Sequence, residues 1–410
     1  MQADERFPGG SELVDGRTRL PPEENLPAKN LPEEGLPAEG LGARPGARRW
    51  PAAAAWVAGG LVLFAFFLRI SFGGRVDSDG ANSALQAWDL VHGHLMLHGW
   101  IFGDATFYAF ELPLNGTVEL LFGMGNLAVH VSSALTYLIV TAGTVALAVT
   151  SSRGPARVVR GAVVVAVLAA PLLAVPTVWV VLEEPDHIGT AMFLLVSFLL
   201  IDRMPDRRFT APLVGLILCA GQLSDATVRY VAVPAVVLVC GYRVLAGRKL
   251  RSGDMALVVA AVVSVPLEPA LRAAMRHFGA FVMVPPKTRL APPRLWPQHA
   301  STVWLDVRIL FGAAGEPGHK LAFASAALGL ICLLAALFGL ARVIWTWRRA
   351  SRAEQLLLAA IVFNVGTYMV SVMTLPNVSR ELAVVLPCGA VLAARALVPA
   401  RIAAMPRAYA

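Results

Sequence analysis

The stretch PAAAAWVAGGLVLFAFFLRI, residues 51–70, decides the fold class because it is a long apolar run with a single charged residue, Arg69. An α-helix rises about 1.5 Å per residue, so about 20 such residues cross the roughly 30 Å of hydrocarbon in a bilayer. The run follows the basic segment ARPGARRW and precedes RISFGG, which is not a small-residue cleavage site. This context favours an uncleaved signal anchor over a secretory signal peptide.

Comparable runs recur along the chain, whose 410 residues are 57% hydrophobic and 15% charged, with a mean hydropathy of +0.63. The runs are continuously apolar, whereas the strands of a membrane β-barrel alternate over about 10 residues. The sequence therefore predicts an all-α polytopic membrane protein with about ten transmembrane helices. The predicted spans are roughly 51–70, 127–149, 161–182, 188–201, 210–223, 228–246, 254–270, 321–344, 355–373 and 381–399, of which the fourth and fifth are short.

The distribution of Lys and Arg predicts the orientation. If the N-terminus is cytoplasmic, the inside segments next to the spans, counted from Arg44 onward, carry 20 basic residues and the outside segments carry 10, seven of them in the loop at roughly 271–320. We therefore expect a multi-pass cell-membrane protein with its N-terminus in the cytoplasm. The excess of basic residues on the cytoplasmic side explains the net charge of +8. The expected partner is the lipid bilayer, and no nucleic acid is expected.

Residues 1–49 differ in composition from residues 50–410. Leu-Pro recurs at a five-residue spacing in NLPAKNLPEEGLPAEGL, among many Glu and Gly residues. Such a segment cannot bury enough apolar surface to offset its ordering entropy. We expect a disordered cytoplasmic tail, 1–49, followed by an integral membrane domain, 50–410.

Two outside loops, roughly 71–126 and 271–320, are longer than the other connections. A charge at the bilayer centre costs at least about 2.5–3.5 kcal/mol, so the six acids of the first loop exclude it from the hydrocarbon. Helical spacing of Leu85, Trp88 and Leu95 predicts an amphipathic interfacial helix, capped by Ser78 or Asp79 and stopped at Gly93. The apolar patch in NGTVELLFG, 115–123, predicts a second one.

The order of elements in this region resembles the first extracytoplasmic loop of the GT-C glycosyltransferases. These polytopic enzymes use lipid-phosphate-linked sugars and include protein mannosyltransferases and the aminoarabinose transferases of lipid A. They carry an adjacent acidic pair after the first span and a Pro-Pro-Leu-type turn before the second. This chain has Asp77-Ser78-Asp79 and Glu111-Leu112-Pro113-Leu114 at the matching places, so either Asp could correspond to the family's catalytic acid. The Ala/Val/Arg-rich composition is typical of a bacterial protein.

The resemblance implies that the protein moves a sugar from a polyprenyl-phosphate donor to an extracytoplasmic acceptor. Such a transfer requires a base to polarise the acceptor hydroxyl and positive charge or a metal to stabilise the departing phosphate. Asp77 or Asp79 is the candidate base. Asp104 and Glu111 are candidates for orienting the acceptor or for holding a divalent cation.

Basic and aromatic residues at the same face are candidates for binding the phosphate and the sugar. Arg380 lies at the outer mouth of the last predicted span, and Arg suits bidentate phosphate binding. Lys287, Arg289 and Arg294 lie among prolines with Trp296, a residue that could stack on a sugar. The alternative is that these residues anchor the loops to lipid headgroups.

Other polar groups carry weaker hypotheses. Asp225 and Arg229 are four residues apart and predict a local ion pair, with a smaller chance of lining the site. His94 and His98 have helical spacing, but Gly93 argues against a shared metal-binding face. No metal is predicted from these histidines.

A transporter or lipid flippase, or a non-catalytic membrane protein, is the alternative function. Transport sites lie near mid-membrane and use intramembrane polar residues. Here only His130, Glu268 and Asn364 stand out within the predicted spans. Convergence of polar residues at the outer face would favour the enzyme, and a midplane cavity would favour transport.

Overall fold

The structure, a computed structural model, describes residues 49–74, 76–103, 105–182, 187–204, 207–247, 253–284, 289–314, 320–374 and 379–400. The chain divides into two units, Met1–Ala54 and Ala55–Ala410, and the features below belong to the second. The predicted tail, apart from residue 49, lies outside the described residues, as do Asp104 and Lys287.

The described residues form α-helices and two very short strands. Seven of the helices are long and apolar enough to cross a membrane, and α8 is a shorter apolar helix. The helices are α1 (Arg49–Ser71), α2 (Ser78–Val91), α3 (Glu111–Phe122), α4 (Asn126–Ala148), α5 (Pro155–Ala169), α6 (Val175–Val181), α7 (Ala191–Arg203), α8 (Thr210–Ser224), α9 (Thr227–Gly247), α10 (Gly253–His277), α11 (Trp296–Leu310), α12 (Lys320–Trp345), α13 (Arg352–Val370) and α14 (Val385–Leu397).

The prediction of an all-α multi-pass membrane protein is confirmed, and every predicted span contains a helix. The predicted span 161–182 is broken, however: α5 ends at Ala169, a 3-10 turn follows at Ala170–Leu173, and α6 begins at Val175. Pro171 and Pro176 lie at these joints. Proline has no backbone N–H to donate, so it interrupts the hydrogen-bond ladder that hydropathy alone would continue.

The two long loops pack against each other at one end of the helices. β1 (Ile101–Phe102) pairs in parallel with β2 (Val282–Met283). A small core forms around this pair, in which the rings of Phe102 and Phe281 contact edge to face with centroids 4.8 Å apart. The loops therefore form one layer at this end, called the loop end below.

At the end of the helices opposite the loop end, arginine side chains connect neighbouring helices. Arg160 donates to the Val398 carbonyl at 2.9 Å, and Arg395 donates to the Leu147 carbonyl at 2.6 Å. Both side chains are buried and satisfy carbonyls at helix ends that have no partner within their own helix. The segments that are predicted to be cytoplasmic because of their basic residues thus meet at one end of the helices.

The two predicted surface helices are present as α2 and α3, with two corrections. Asp77, not Ser78 or Asp79, caps α2 by accepting a hydrogen bond from the Gly80 N–H at 2.8 Å. Leu85 and Leu95 of the predicted apolar face are exposed and Trp88 is half-buried, whereas α2 buries Ala87 and Leu90. Gly116 of α3 lies so close to Ala87 that a Cβ would come within 2.8 Å of its carbonyl oxygen, which explains why small residues form this contact.

Candidate functional site

The turn between α6 and α7 brings a histidine between two carboxylates at the loop end. The Nδ1 of His187 lies 2.6 Å from Asp225 Oδ2, and its Nε2 lies 3.4 Å from Glu381 Oε1. The Thr190 hydroxyl donates to the same Asp225 oxygen. His187 and Asp225 are buried, while Glu381 is partly exposed. Three distant chain segments are therefore joined by one imidazole.

Asp225 is held at the junction between α8 and α9. It follows the last residue of α8, and its Oδ1 accepts a hydrogen bond from the Thr227 N–H at 2.7 Å in the first turn of α9. The carboxylate thus has donors on both oxygens before any ligand is considered. Burial acts to raise the pKa of Asp225, but charged His187 and these hydrogen bonds outweigh it and lower the pKa.

The protonation of His187 follows from its neighbours. Burial alone would lower the pKa of this imidazole, but the carboxylates of Asp225 and Glu381 raise it well above the usual histidine range. His187 in turn lowers the pKa of Glu381 against the effect of burial. The three groups therefore form a charged carboxylate–imidazolium–carboxylate cluster, called the His187 cluster below.

Glu111 lies against the same turn. It is the first residue of α3 and is buried, and it packs on Gly189 between His187 and Thr190. A Cβ at Gly189 would come within 2.0 Å of Glu111 Oε1, so only glycine fits there. The structure thus brings the predicted acceptor-orienting acid to the turn that carries His187.

Backbone contacts fix the first long loop to the junction that holds Asp225. The N–H groups of Thr106 and Phe107 donate to the Ser224 carbonyl at 2.8 and 3.0 Å. The Ala109 N–H donates to the Ser224 hydroxyl at 2.7 Å. The Phe107 ring contacts His187 edge to face. The aromatic segment before Glu111 is therefore part of the site.

The structure also pairs two of the predicted site residues. Arg380 Nη1 lies 3.2 Å from Asp79 Oδ2, and both side chains are substantially exposed, 43% and 58% respectively. Arg380 is adjacent to Glu381 in the chain, so this ion pair borders the His187 cluster. The candidate base and the candidate phosphate-binding group, 301 positions apart, are direct neighbours.

A cavity of about 340 Å³ opens beside the cluster. The first turn of α9 and the last turns of α13 form its walls, and a bridge between Leu290 and Ser371 brings Arg289 to the rim. The Val372 N–H donates to the Arg289 carbonyl at 3.0 Å, which fixes this segment against the end of α13. Polar groups that line the cavity are His187, Asp225, Thr227, Tyr230, Arg289, Asn364, Thr367, Tyr368, Ser371 and Glu381.

The remaining predicted residues are placed differently. Arg294 is exposed in a 3-10 turn and does not line the cavity. The indole N–H of Trp296 donates to the Ala291 carbonyl at 3.0 Å, so it braces its own loop. The predicted ion pair between Asp225 and Arg229 is wrong, because Asp225 pairs with His187 and Arg229 donates to buried Glu268 at 2.6 Å.

Sequence reasoning missed His187, Thr190 and Glu381. His187 ends the segment EEPDH, 183–187, which carries no Lys or Arg. Its position next to a predicted outer helix end was an available signal. Glu381 follows Arg380 directly, yet no local pattern relates it to a histidine 194 positions earlier in the chain.

Among the described residues, no group of three or more His, Cys, Asp or Glu side chains is arranged to hold a metal ion. Both ring nitrogens of His187 are occupied by carboxylates. His94 contacts Asp89, whereas His98 contacts the Gly279 carbonyl at 2.9 Å, so these two histidines have different partners.

Together these features define a helical multi-pass membrane protein with a polar cavity and a charged cluster at one end of its helices. The chain is similar in structure to the crystal structure of ArnT from Cupriavidus metallidurans bound to undecaprenyl phosphate. That match has a TM-score of 0.49 at 16% sequence identity and covers 85% of this chain and 60% of that one. The crystal structure of the same ArnT in the apo state matches with a TM-score of 0.49 at 16% sequence identity, and the match covers 84% of this chain and 60% of that one. The chain thus spans 60% of the length of each of these structures. No family model matches the chain, and neither does any curated protein.

Proposed function

We propose that the protein is a GT-C-type glycosyltransferase that moves a sugar from a polyprenyl-phosphate donor to a hydroxyl acceptor at the extracytoplasmic face. The observation that carries this proposal is the ion pair of Asp79 with Arg380, whose chain neighbour Glu381 lines the cavity. A base and a phosphate-binding cation are the two groups that such a transfer needs next to each other. The resemblance of the first outer loop to that of GT-C enzymes supports the same assignment.

The exposure of the pair is relevant to its role. An exposed ion pair contributes only about 0–1 kcal/mol to stability, so the contact between Asp79 and Arg380 is not required to hold the loops together. An arriving phosphate can therefore replace Asp79 as the partner of Arg380 at little cost. Arg380 then holds the phosphate, and Asp79 is released to act on the acceptor.

Asp79 and Arg380 together account for the proton and the electron pair that move in the transfer. The acceptor oxygen bonds to the anomeric carbon of the sugar while its proton passes to Asp79. The bond from that carbon to the phosphate oxygen breaks, and the electron pair leaves with the phosphate, which Arg380 stabilises. Arg289 at the rim supplies a second cation, and the cavity receives the sugar.

The location of the cavity favours an enzyme over a transporter. Asn364, its deepest polar residue on α13, lies six residues from the end of that helix, which corresponds to about 9 Å. A transport site is expected near mid-membrane. This cavity instead adjoins the end of the helices where both long loops lie.

The two acids of the first loop provide a matched pair of variants. Asp77 caps α2, and Asn caps a helix about as well as Asp, so Asp77→Asn should keep transfer within a few-fold of wild type. Asp79→Asn removes the proposed base and should lower transfer about 10²–10⁴-fold. The measurement is transfer of hexose or pentose from synthetic polyprenyl-phosphate sugars in proteoliposomes, at equal protein abundance.

Arg380 gives an independent arm of the same test. Arg380→Lys keeps the charge but loses the planar two-point contact to phosphate, and Arg380→Gln loses both, so activity should fall in that order. Full activity of Asp79→Asn would refute the assignment of the base. Reporter fusions that place residue 80 in the cytosol would refute the proposed face of the membrane.

A further inference from the structure

The amide of Asn364 is buried in the cavity wall with only one of its two ends satisfied. The residue is 3% exposed. Its Nδ2 donates to the Glu381 carbonyl at 2.9 Å, while its Oδ1 has no hydrogen-bond donor among the described residues. A buried acceptor without a donor is unfavourable, so it calls for an explanation.

The orientation of this amide is determined by its partner. A backbone carbonyl can only accept a hydrogen bond, so the NH₂ group must face Glu381. The Oδ1 atom therefore stays at the other end of the amide. A hydrogen-bond donor of a bound molecule in the cavity would satisfy it, as an ordered water or a ligand hydroxyl does.

Neighbouring hydroxyl groups in the wall are already engaged. Thr367, three residues further along α13, donates to the Phe363 carbonyl of its own helix at 2.6 Å. The Ser371 hydroxyl accepts from the Met373 N–H at 3.0 Å. Asn364 differs from them because its Oδ1 is buried and has no hydrogen-bond partner of any kind among the described residues.

The charges of the wall indicate what kind of donor fits. His187 and Arg289 are positive and Asp225 and Glu381 are negative, so the four ionised groups sum to zero. A wall whose charges balance does not favour a charged ligand group over a neutral hydroxyl. An ammonium group would need an excess of negative charge, which the wall does not supply.

We propose that Asn364 is a specificity-determining residue, whose Oδ1 accepts a hydrogen bond from one hydroxyl of a neutral sugar in the cavity. This inference rests on the proposed function and adds the class of sugar that the site selects. A site built to hydrogen-bond a hydroxyl rejects the analogue that lacks it, because its own polar group is then left unpaired.

The test uses the full-length protein in nanodiscs and short-chain polyprenyl-phosphate hexoses and pentoses, each compared with its singly deoxygenated analogues. For wild type, one deoxygenated analogue should bind at least about tenfold more weakly than its parent sugar. In Asn364→Leu, the parent should lose about the same factor, and the two ligands should bind alike. Thr144→Val, which removes the same kind of hydrogen bond to its own helix outside the cavity, should keep the wild-type discrimination.

The outcomes separate this inference from the function on which it rests. If parent sugars bind but wild type and Asn364→Leu discriminate equally, the role of Asn364 is refuted and the proposed function stands. If an amino sugar binds wild type more tightly than every neutral sugar, the neutral class is refuted. If no polyprenyl-phosphate sugar binds wild type, both proposals fail. Comparing analogues on the wild-type protein keeps the test independent of whether a variant folds.

Discussion

Glu119 on α3 gives a quantitative prediction about stability. The side chain is 1% exposed, and neither carboxylate oxygen has a hydrogen-bond partner among the described residues. Burial raises the pKa of Glu119 from 4.5 to about 7, because the charged form cannot be solvated there. Ionisation therefore opposes folding.

The sign and size of the effect follow from linkage between protonation and folding. Glu119 ionises near pH 4.5 in the unfolded chain and near pH 7 in the folded chain. Stability is therefore lost as pH rises between these values and stays low above them. One pH unit corresponds to 1.36 kcal/mol, so the full loss is about 3 kcal/mol.

The variant Glu119→Gln removes the charge and keeps the shape. We expect it to be about 3 kcal/mol more stable than wild type at pH 8 and nearly equal to it at pH 4.5. The assay is unfolding in nanodiscs across this range, with the difference between variant and wild type as the readout, so that other titrating groups cancel. Thr117→Val, at an exposed position of the same helix that carries no ionisable group, is the control and should give a difference independent of pH. A difference for Glu119→Gln that does not change with pH would refute the burial of an ionisable carboxyl at this position.

Two further predictions concern the turn at 187–190. Gly189→Ala should destabilise wild type by about 1–3 kcal/mol because its Cβ overlaps Glu111. The same substitution should cost little stability in the background Glu111→Ala. Equal costs in both backgrounds would contradict the contact between Gly189 and Glu111. Gly366→Ala, at an open helical position, should cause no loss in the same unfolding assay. The raised pKa of His187 means that its stabilisation is complete below about pH 6.5 and is lost as pH rises through the higher folded value. Unfolding followed into the alkaline range should show this loss in wild type and not in His187→Gln, and an equal loss in both would exclude His187 as its source.

The helices and the grouping of the loops could be predicted from sequence because both depend on local properties. The length of an apolar run shows whether it can span a bilayer. The number of basic residues in a connection can likewise be read without knowing which other segments it contacts. The joint at Pro171 was missed because hydropathy continues through it, although the hydrogen-bond ladder does not.

The partners within the site could not be predicted because they depend on which loops meet. Asp225 and Arg229 have the spacing of a helical ion pair, but Asp225 precedes α9 instead of lying on it. Its carboxylate points to the turn of His187, and Arg229 pairs with Glu268 of α10. The face of α2 was misjudged for a related reason, since close packing against Gly116 selects small residues for burial.

The two charge groups at the loop end differ in burial, and this difference supports separate roles. The His187 cluster is largely buried, and removing one partner of a buried ion pair costs about 3–5 kcal/mol, so it fixes three chain segments relative to one another. The Asp79–Arg380 pair is exposed and contributes at most about 1 kcal/mol, so it can exchange partners. Because Arg380 and Glu381 are consecutive, the rigid cluster positions the exchangeable arginine. Under the proposed function, the exposed Arg380 would be held in place by its chain neighbour Glu381 and would be accessible to a lipid phosphate.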